Sequence, residues 1–133
     1  QLIDKESFTN LKAQGFSLNA KIALLEEQPV KAENYYKESI EQARKNADTA
    51  ARVDAEIALA NLYLTTNQIK QAEVLIALLA EPFANYFDAL VIKARLAETS
   101  NTKAASLKYL KAAKKIANER WNQELQNQLE RLN

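Results

Sequence analysis

Residues 50–80 read AARVDAEIALANLYLTTNQIKQAEVLIALLA, and residues 84–114 read ANYFDALVIKARLAETSNTKAASLKYLKAAK. At a shift of 34 they agree at Ala50/Ala84, Asp54/Asp88, Ala55/Ala89, Ala60/Ala94, Leu62/Leu96, Thr65/Thr99 and Asn67/Asn101. Seven identities in 31 pairs exceed the roughly two or three that composition supplies, and 34 residues is the length of a helix–turn–helix repeat. A shift of 40 carries the pattern backwards through Ala20/Ala60, Leu24/Leu64, Gln28/Gln68, Ala32/Ala72 and Glu33/Glu73. The extra residues of that shift fit a longer helix and loop around 46–51. Three helical pairs and a closing helix are therefore expected.

Composition points the same way. The chain of 133 residues holds 23 Ala and 18 Leu, which are strong helix formers. One Gly and two Pro exclude a glycine-rich phosphate loop and disfavour a turn-rich β architecture. At 47% hydrophobic and 26% charged residues the chain can bury a core. Lys and Arg number 18 against 17 Asp and Glu, for a net charge of +1, which argues against a dedicated polyanion binder. With no His and no Cys, a Cys/His zinc site, a His-paired nucleophile, a haem held by those residues and any disulfide are all excluded. No cofactor or metal is expected. The chain opens at Gln1 and contains no Met, so a piece cut from a longer protein or a processed product is expected. No run approaches the length of a membrane span, and none resembles a signal peptide. A soluble segment is expected, cytoplasmic or periplasmic.

Apolar spacing sets the expected elements. Phe8, Leu11, Gly15, Leu18, Ile22 and Leu25 advance in steps of three and four, one stripe of an amphipathic helix. Gly15 lies in that stripe, so this first element is one long helix or two that meet near Gly15. The junction is favoured, because Gly costs about 1 kcal/mol relative to Ala inside a helix. Gln28-Pro29 closes it. A second helix is expected over 30–46, with Ala32, Tyr36, Ile40 and Ala43 on one side. A third, over 50–65, is capped by Asp48 or Thr49. It carries Val53, Ile57, Ala60 and Leu64 on one face and Ala55, Leu59, Leu62 and Tyr63 on another, so it has neighbours on two sides. The fourth spans 69–80 and ends at Glu81-Pro82, the fifth 83–98, the sixth 103–117. Asn118 caps a last helix to 132 with Trp121, Leu125, Leu129 and Leu132 as its apolar stripe.

The small and large residues at these spacings resemble the tetratricopeptide repeat family. The middle repeat supplies Leu59-Ala60, Tyr63, Ala72, Ile76 and Leu79; the last supplies Ala94, Ala97, Ser106, Leu110 and Ala113; the first supplies Ala20, Ala23, Ala32, Tyr36 and Ser39. Asn67 and Asn101 replace the usual turn Gly, Leu79 is large where a small residue is usual, and the closing Pro is weakly represented. The resemblance covers about residues 16–117. It implies a single domain: an all-α, right-handed α-α superhelix of repeats near 16–48, 50–82 and 84–117, with a capping helix over 118–132.

In this family the first helix of each pair lines a concave groove that receives peptides. Carried over, the groove residues are Lys21 and Leu24, then Ile57, Asn61 and Leu64, then Val91, Arg95 and Glu98. Lys21, Asn61 and Arg95 fall at equivalent places, a row suited to a peptide's carbonyls or an acidic side chain. Ile57 and Val91 stand where a carboxylate clamp for acidic tails has polar groups, so that particular function is disfavoured. Lys103, Lys108, Lys111, Lys114 and Lys115 form a basic stretch that reads as a solvated face complementing the helix dipole; nucleic-acid binding is not expected. Of the adjacent aromatic pairs Tyr35-Tyr36 and Tyr86-Phe87, only one member of each can be fully buried, and Tyr35 and Tyr86 are the expected exposed ones. Glu26-Glu27 and Glu38/Glu41 lie on polar faces, where nothing raises a pKa.

The function expected from these features is a non-catalytic peptide- or protein-binding scaffold that does not itself insert into a membrane. The alternative is a structural or self-associating module, dimerising through the Trp121 helix. Repeats ending like residues 117–121 look like those C-terminal to bacterial winged-helix regulators or Ser/Thr kinases.

Overall fold

The computed structural model describes residues 5–79 and 83–133, and every element in them is helical. The α-helices are α1 (Lys5–Leu25), α2 (Pro29–Lys45), α3 (Thr49–Thr65), α4 (Ile69–Ala77), α5 (Phe87–Thr99), α6 (Lys103–Ala117) and α7 (Gln123–Leu132). Short 3-10 turns occupy Phe83–Asn85 and Asn118–Arg120. The chain packs as two compact units, Gln1–Leu75 and Ile76–Asn133. In the first, α1 lies along α2, α2 along α3, and α1 also touches α3; in the second, α5 lies along α6, and α6 meets α7.

One corner recurs at four helix ends. Glu27, Ala47, Asn67 and Asn101 all have φ between 54° and 62°. Each stands two residues beyond its helix and donates its N–H back to Leu24, Arg44, Leu64 and Glu98 respectively. The residues that follow donate to carbonyls five back: Gln28 to Ala23, Asp48 to Ala43, Gln68 to Tyr63, Thr102 to Ala97, at 2.7 to 2.9 Å. These paired bonds satisfy carbonyls that a helix end leaves open. The same four residues then open the next helix, their carbonyls accepting from Ala32, Arg52, Ala72 and Ser106. The connections at these four corners are thus three residues long.

Repeat equivalence extends to side chains. Ala60 and Ala94 are fully buried, as are Ala55 and Ala89. Thr65 and Thr99 donate their hydroxyls to Leu62 and Leu96 at 2.8 and 2.7 Å. Thr66 and Ser100 do the same at 2.9 and 3.1 Å.

Helices meet where residues are small. Ala13, Ala20, Ala23, Ala32, Ala43, Ala72 and Ala113 are all buried. The buried Ser106 hydroxyl donates to the Ala94 carbonyl at 2.9 Å, and the Ser39 hydroxyl to the Ala13 carbonyl at 2.7 Å. Since Ser39 spends its only proton there, the 2.7 Å contact with Ser17 has Ser17 as donor. Both apolar faces of α3 are covered, Leu64 being half-exposed.

Several expectations are corrected. α1 runs unbroken through Gly15. Ser39 grips residues 13 and 17, either side of Gly15, so packing on α2 outweighs the glycine's weak propensity. The large-residue stripe of α1 is not its buried face. Leu11, Leu18, Ile22 and Leu25 are 51, 58, 44 and 85% exposed, while Ala13, Ala20 and Ala23 are buried; the side chain of Phe8 lies outside the described residues. α4 ends at Ala77, and Ala80, Glu81 and Pro82 also lie outside them. α5 starts at Phe87 because residues 83–85 turn separately, tied to it by Lys93 donating to the Ala84 carbonyl at 2.7 Å. α7 starts at Gln123, capped by Asn122, whose side chain accepts from the Leu125 N–H at 2.9 Å. Asn118 belongs to the preceding turn.

The single glycine stands where none is required, and alanine stands at a left-handed corner. Beyond the adjoining residues and the helix's own backbone, no atom lies within 4 Å of where a Cβ would project from Gly15. Gly15→Ala should raise unfolding stability by about 0.5–1 kcal/mol. Ala47→Gly should raise it by about as much, because a left-handed conformation costs an L residue about 1–2 kcal/mol. Denaturant melts of the two single variants, each shifting upward, check both.

Candidate functional site

Eight residues carry the sequence-derived groove, and the two units hold them separately. In the first unit Lys21 and Asn61 are exposed, Leu64 is half-buried, and Ile57 is only 8% exposed. Ile57 therefore spends its side chain on packing. In the second unit Val91 packs against the core formed by Phe87, Leu90, Ala94, Leu110, Leu125 and Leu129, and Arg95 is half-buried. Leu24 is exposed at the edge of α1.

Lys21 lines a hollow of about 360 Å³ with Gln14, Ser17 and Leu18 of α1, Ser39 of α2, and Asp48, Ala50, Ala51 and Asp54 at the start of α3. Asp48 is committed there as a cap, accepting from the Ala51 N–H at 3.1 Å. One cation thus shares the hollow with two carboxylates, next to hydroxyl and amide groups that both donate and accept. Asn61 and Leu64 lie outside this lining.

Arg95 lines a second hollow, of about 340 Å³, with Glu98 of α5 and Glu124, Asn127, Gln128 and Arg131 of α7. Glu98 is not a groove residue waiting for a ligand. It accepts from Gln128 Nε2 at 2.7 Å and from the Arg131 guanidinium, so it fastens α7 onto α5.

A third hollow was not expected from the sequence. It measures about 510 Å³ and lies between α2, α3 and α4, with an apolar floor and a charged rim. Ile40, Leu59 and Tyr63 are ordinary core positions by spacing, which hides their second role. Val74 is the legible signal: it departs from the stripe of Ala72, Ile76 and Leu79 and is 60% exposed.

The electrostatics of this region are set by burial. Burial pushes the Tyr63 phenol from its ordinary 10.0 up to about 12, helped by its hydrogen bond to Glu33, whose carboxylate accepts the phenolic proton. Lys37 lies 3.7 Å from the same carboxylate. Burial also raises Tyr36 and Glu56, the latter opposed by the Arg52 and Arg44 charges; Arg52 is 3.6 Å from Glu56.

Some of the other candidates are held within the fold. Lys114 donates to Gln126 Oε1 at 2.9 Å and stands 5.6 Å from the Trp121 ring centroid, while Trp121 donates to the same oxygen at 2.9 Å. Lys108, Lys111 and Lys115 are exposed. Tyr36 and Phe87 are the buried members of their pairs; Tyr86 is exposed and Tyr35 half-buried. Glu26, Glu27, Glu38 and Glu41 are exposed, and Glu41 pairs with Arg44 at 3.0 Å. Among the described residues no group of three or more acidic side chains could hold a metal, and no helix is long and apolar enough to cross a membrane. No family model, curated protein or solved structure matches the chain.

The raised phenol gives a pH signature. A folded pKa above the unfolded one means that Tyr63 contributes stability that is complete below pH 10.0 and lost as pH rises through about 12. In an ultraviolet pH titration one tyrosine should ionise well after the earliest ones, and Tyr63→Phe should delete that late step.

Proposed function

We propose that the chain is a non-catalytic scaffold that holds a peptide or a segment of another protein against exposed residues of its first-of-pair helices. Lys21 and Asn61 would serve on the first unit; Arg95, half-buried, is a separate candidate on the second. The observation that carries this is the Lys21 hollow, where the Gln14 amide and the Lys21 ammonium stand beside the Ser17 hydroxyl. A peptide main chain offers the complementary alternation of N–H and C=O. Helices already ordered before binding keep the entropic cost of association low. Catalysis finds little support: the carboxyl raised by burial, Glu56, is matched to Arg52 and lines neither polar hollow.

Peptides selected by the wild-type chain from an array provide the test. Combining Lys21→Ala, Asn61→Ala and Arg95→Ala should weaken them by about tenfold or more, equivalent to about 1.4 kcal/mol, with helicity and melting temperature nearly unchanged. Full retention by this variant removes the assignment.

Self-association within a larger regulator is the second reading, and the exposed stripe of α1 favours it. α7 is a poor seam for such contact, because Leu125, Leu129 and Leu132 are buried within their own unit. Leu11, Leu18, Ile22 and Leu25 instead keep heptad-like spacing on an exposed face. Sedimentation velocity should then show a concentration-dependent dimer that Leu18→Glu with Ile22→Glu disperses; a wild-type chain monomeric at high micromolar concentration discards this reading.

A further inference from the structure

We infer that the hollow between α2, α3 and α4 is a docking site for an acidic amphipathic helix. Its two walls are helical ridges. Lys37, Ile40, Glu41 and Arg44 follow one face of α2, and Lys70, Gln71, Val74 and Leu75 follow one face of α4, with Leu59 and Tyr63 of α3 as the floor between them. A trough with two helical walls and an apolar floor accepts a third helix, whose anchors at i, i+3 or i+4, and i+7 enter the floor.

Charge decides the partner's chemistry. The walls carry three cations, Lys37, Arg44 and Lys70, against one carboxylate, Glu41, in a chain whose net charge is only +1. Glu41 is engaged with Arg44 at 3.0 Å and Lys37 lies 3.7 Å from Glu33, so Lys70 holds the rim's uncompensated positive charge; both lysines are exposed. Acidic residues flanking the partner's apolar anchors meet these ammonium groups, while basic flanks are repelled. A free small amphiphile is the poorer occupant. Small-molecule sites enclose most of their ligand, whereas this trough is open and Val74 remains 60% exposed. Side chains delivered on a helix need no such enclosure. No residue of this trough lines the Lys21 hollow, so the two sites are separable by mutation.

The probe is a short synthetic helical peptide with leucines at i, i+4 and i+7 and glutamates beside them, labelled for anisotropy and titrated with the whole chain. It should bind about tenfold or more tightly than its lysine-flanked counterpart and its leucine-to-alanine counterpart, and added salt should weaken it. Lys37→Glu with Lys70→Glu should reverse the charge preference, so that the lysine-flanked peptide binds better. Val74→Asp, a change on an exposed position, should weaken the glutamate peptide by a comparable factor. Lys21→Ala should leave it unchanged, and circular dichroism verifies that each variant is folded. Equal affinity for the two charge types, failure of the charge swap to invert the preference, no binding by any peptide, or dodecanoate displacing the peptide at equal concentration would each overturn the proposal.

Discussion

Two helices can lie close together only where neither presents a long side chain at the crossing, and this steric condition organises both units. At Ala94 the approach is close enough for the Ser106 hydroxyl to reach the main chain of the neighbouring helix, and Ser39 does the same at Ala13. Alanine contributes little area to burial, so the contacts gain through closeness and number of atoms in contact more than through the size of any one side chain. A leucine at such a point would hold the helices apart and strain the packing on either side. The serines add a directional bond that fixes how far one helix slides along the other.

Much of this was legible in the sequence because alanine spacing and corner residues are local signals. The period of 34 correctly pairs Ala60 with Ala94 and Thr65 with Thr99, and α6 has the bounds its spacing predicts. Asn67 and Asn101 mark corners openly, since asparagine tolerates the left-handed conformation; Glu27 and Ala47 adopt it without any compositional hint. What misled was side-chain size. In α1 the leucine stripe and the series Ala13, Ala20, Ala23 are both helically periodic, and hydrophobicity favours the former. Close approach favours the latter, which left the larger residues facing outward. The start of α5 was hidden in a similar way, because Phe83 and Phe87 fit one apolar pattern while the backbone between them turns.

The candidate sites divide along the same line. Polar residues at equivalent repeat positions can be picked out by register alone, so Lys21, Asn61 and Arg95 were accessible. A residue's partners depend on which helix lies across it, and register is silent on that. Glu98 is the clear case: its position suggests a ligand contact, and its carboxylate is already held by Gln128 and Arg131 of α7. The trough of α2, α3 and α4 was missed for the converse reason. Its floor consists of core residues whose outer edges remain accessible only because the two walls stand apart.

The shared corner couples the angular phase of one helix to that of the next. Gln28, Asp48, Gln68 and Thr102 each close one helix and open its successor, so these junctions contain no slack segment in which a rotation could dissipate. Inserting or deleting a single residue inside a helix turns everything beyond it by about 100°, and the corner would hand that rotation on to the following helix. Chain length is accordingly as constrained as chain chemistry in this architecture, and a lineage built this way would tolerate gain or loss of an entire hairpin more readily than of one amino acid.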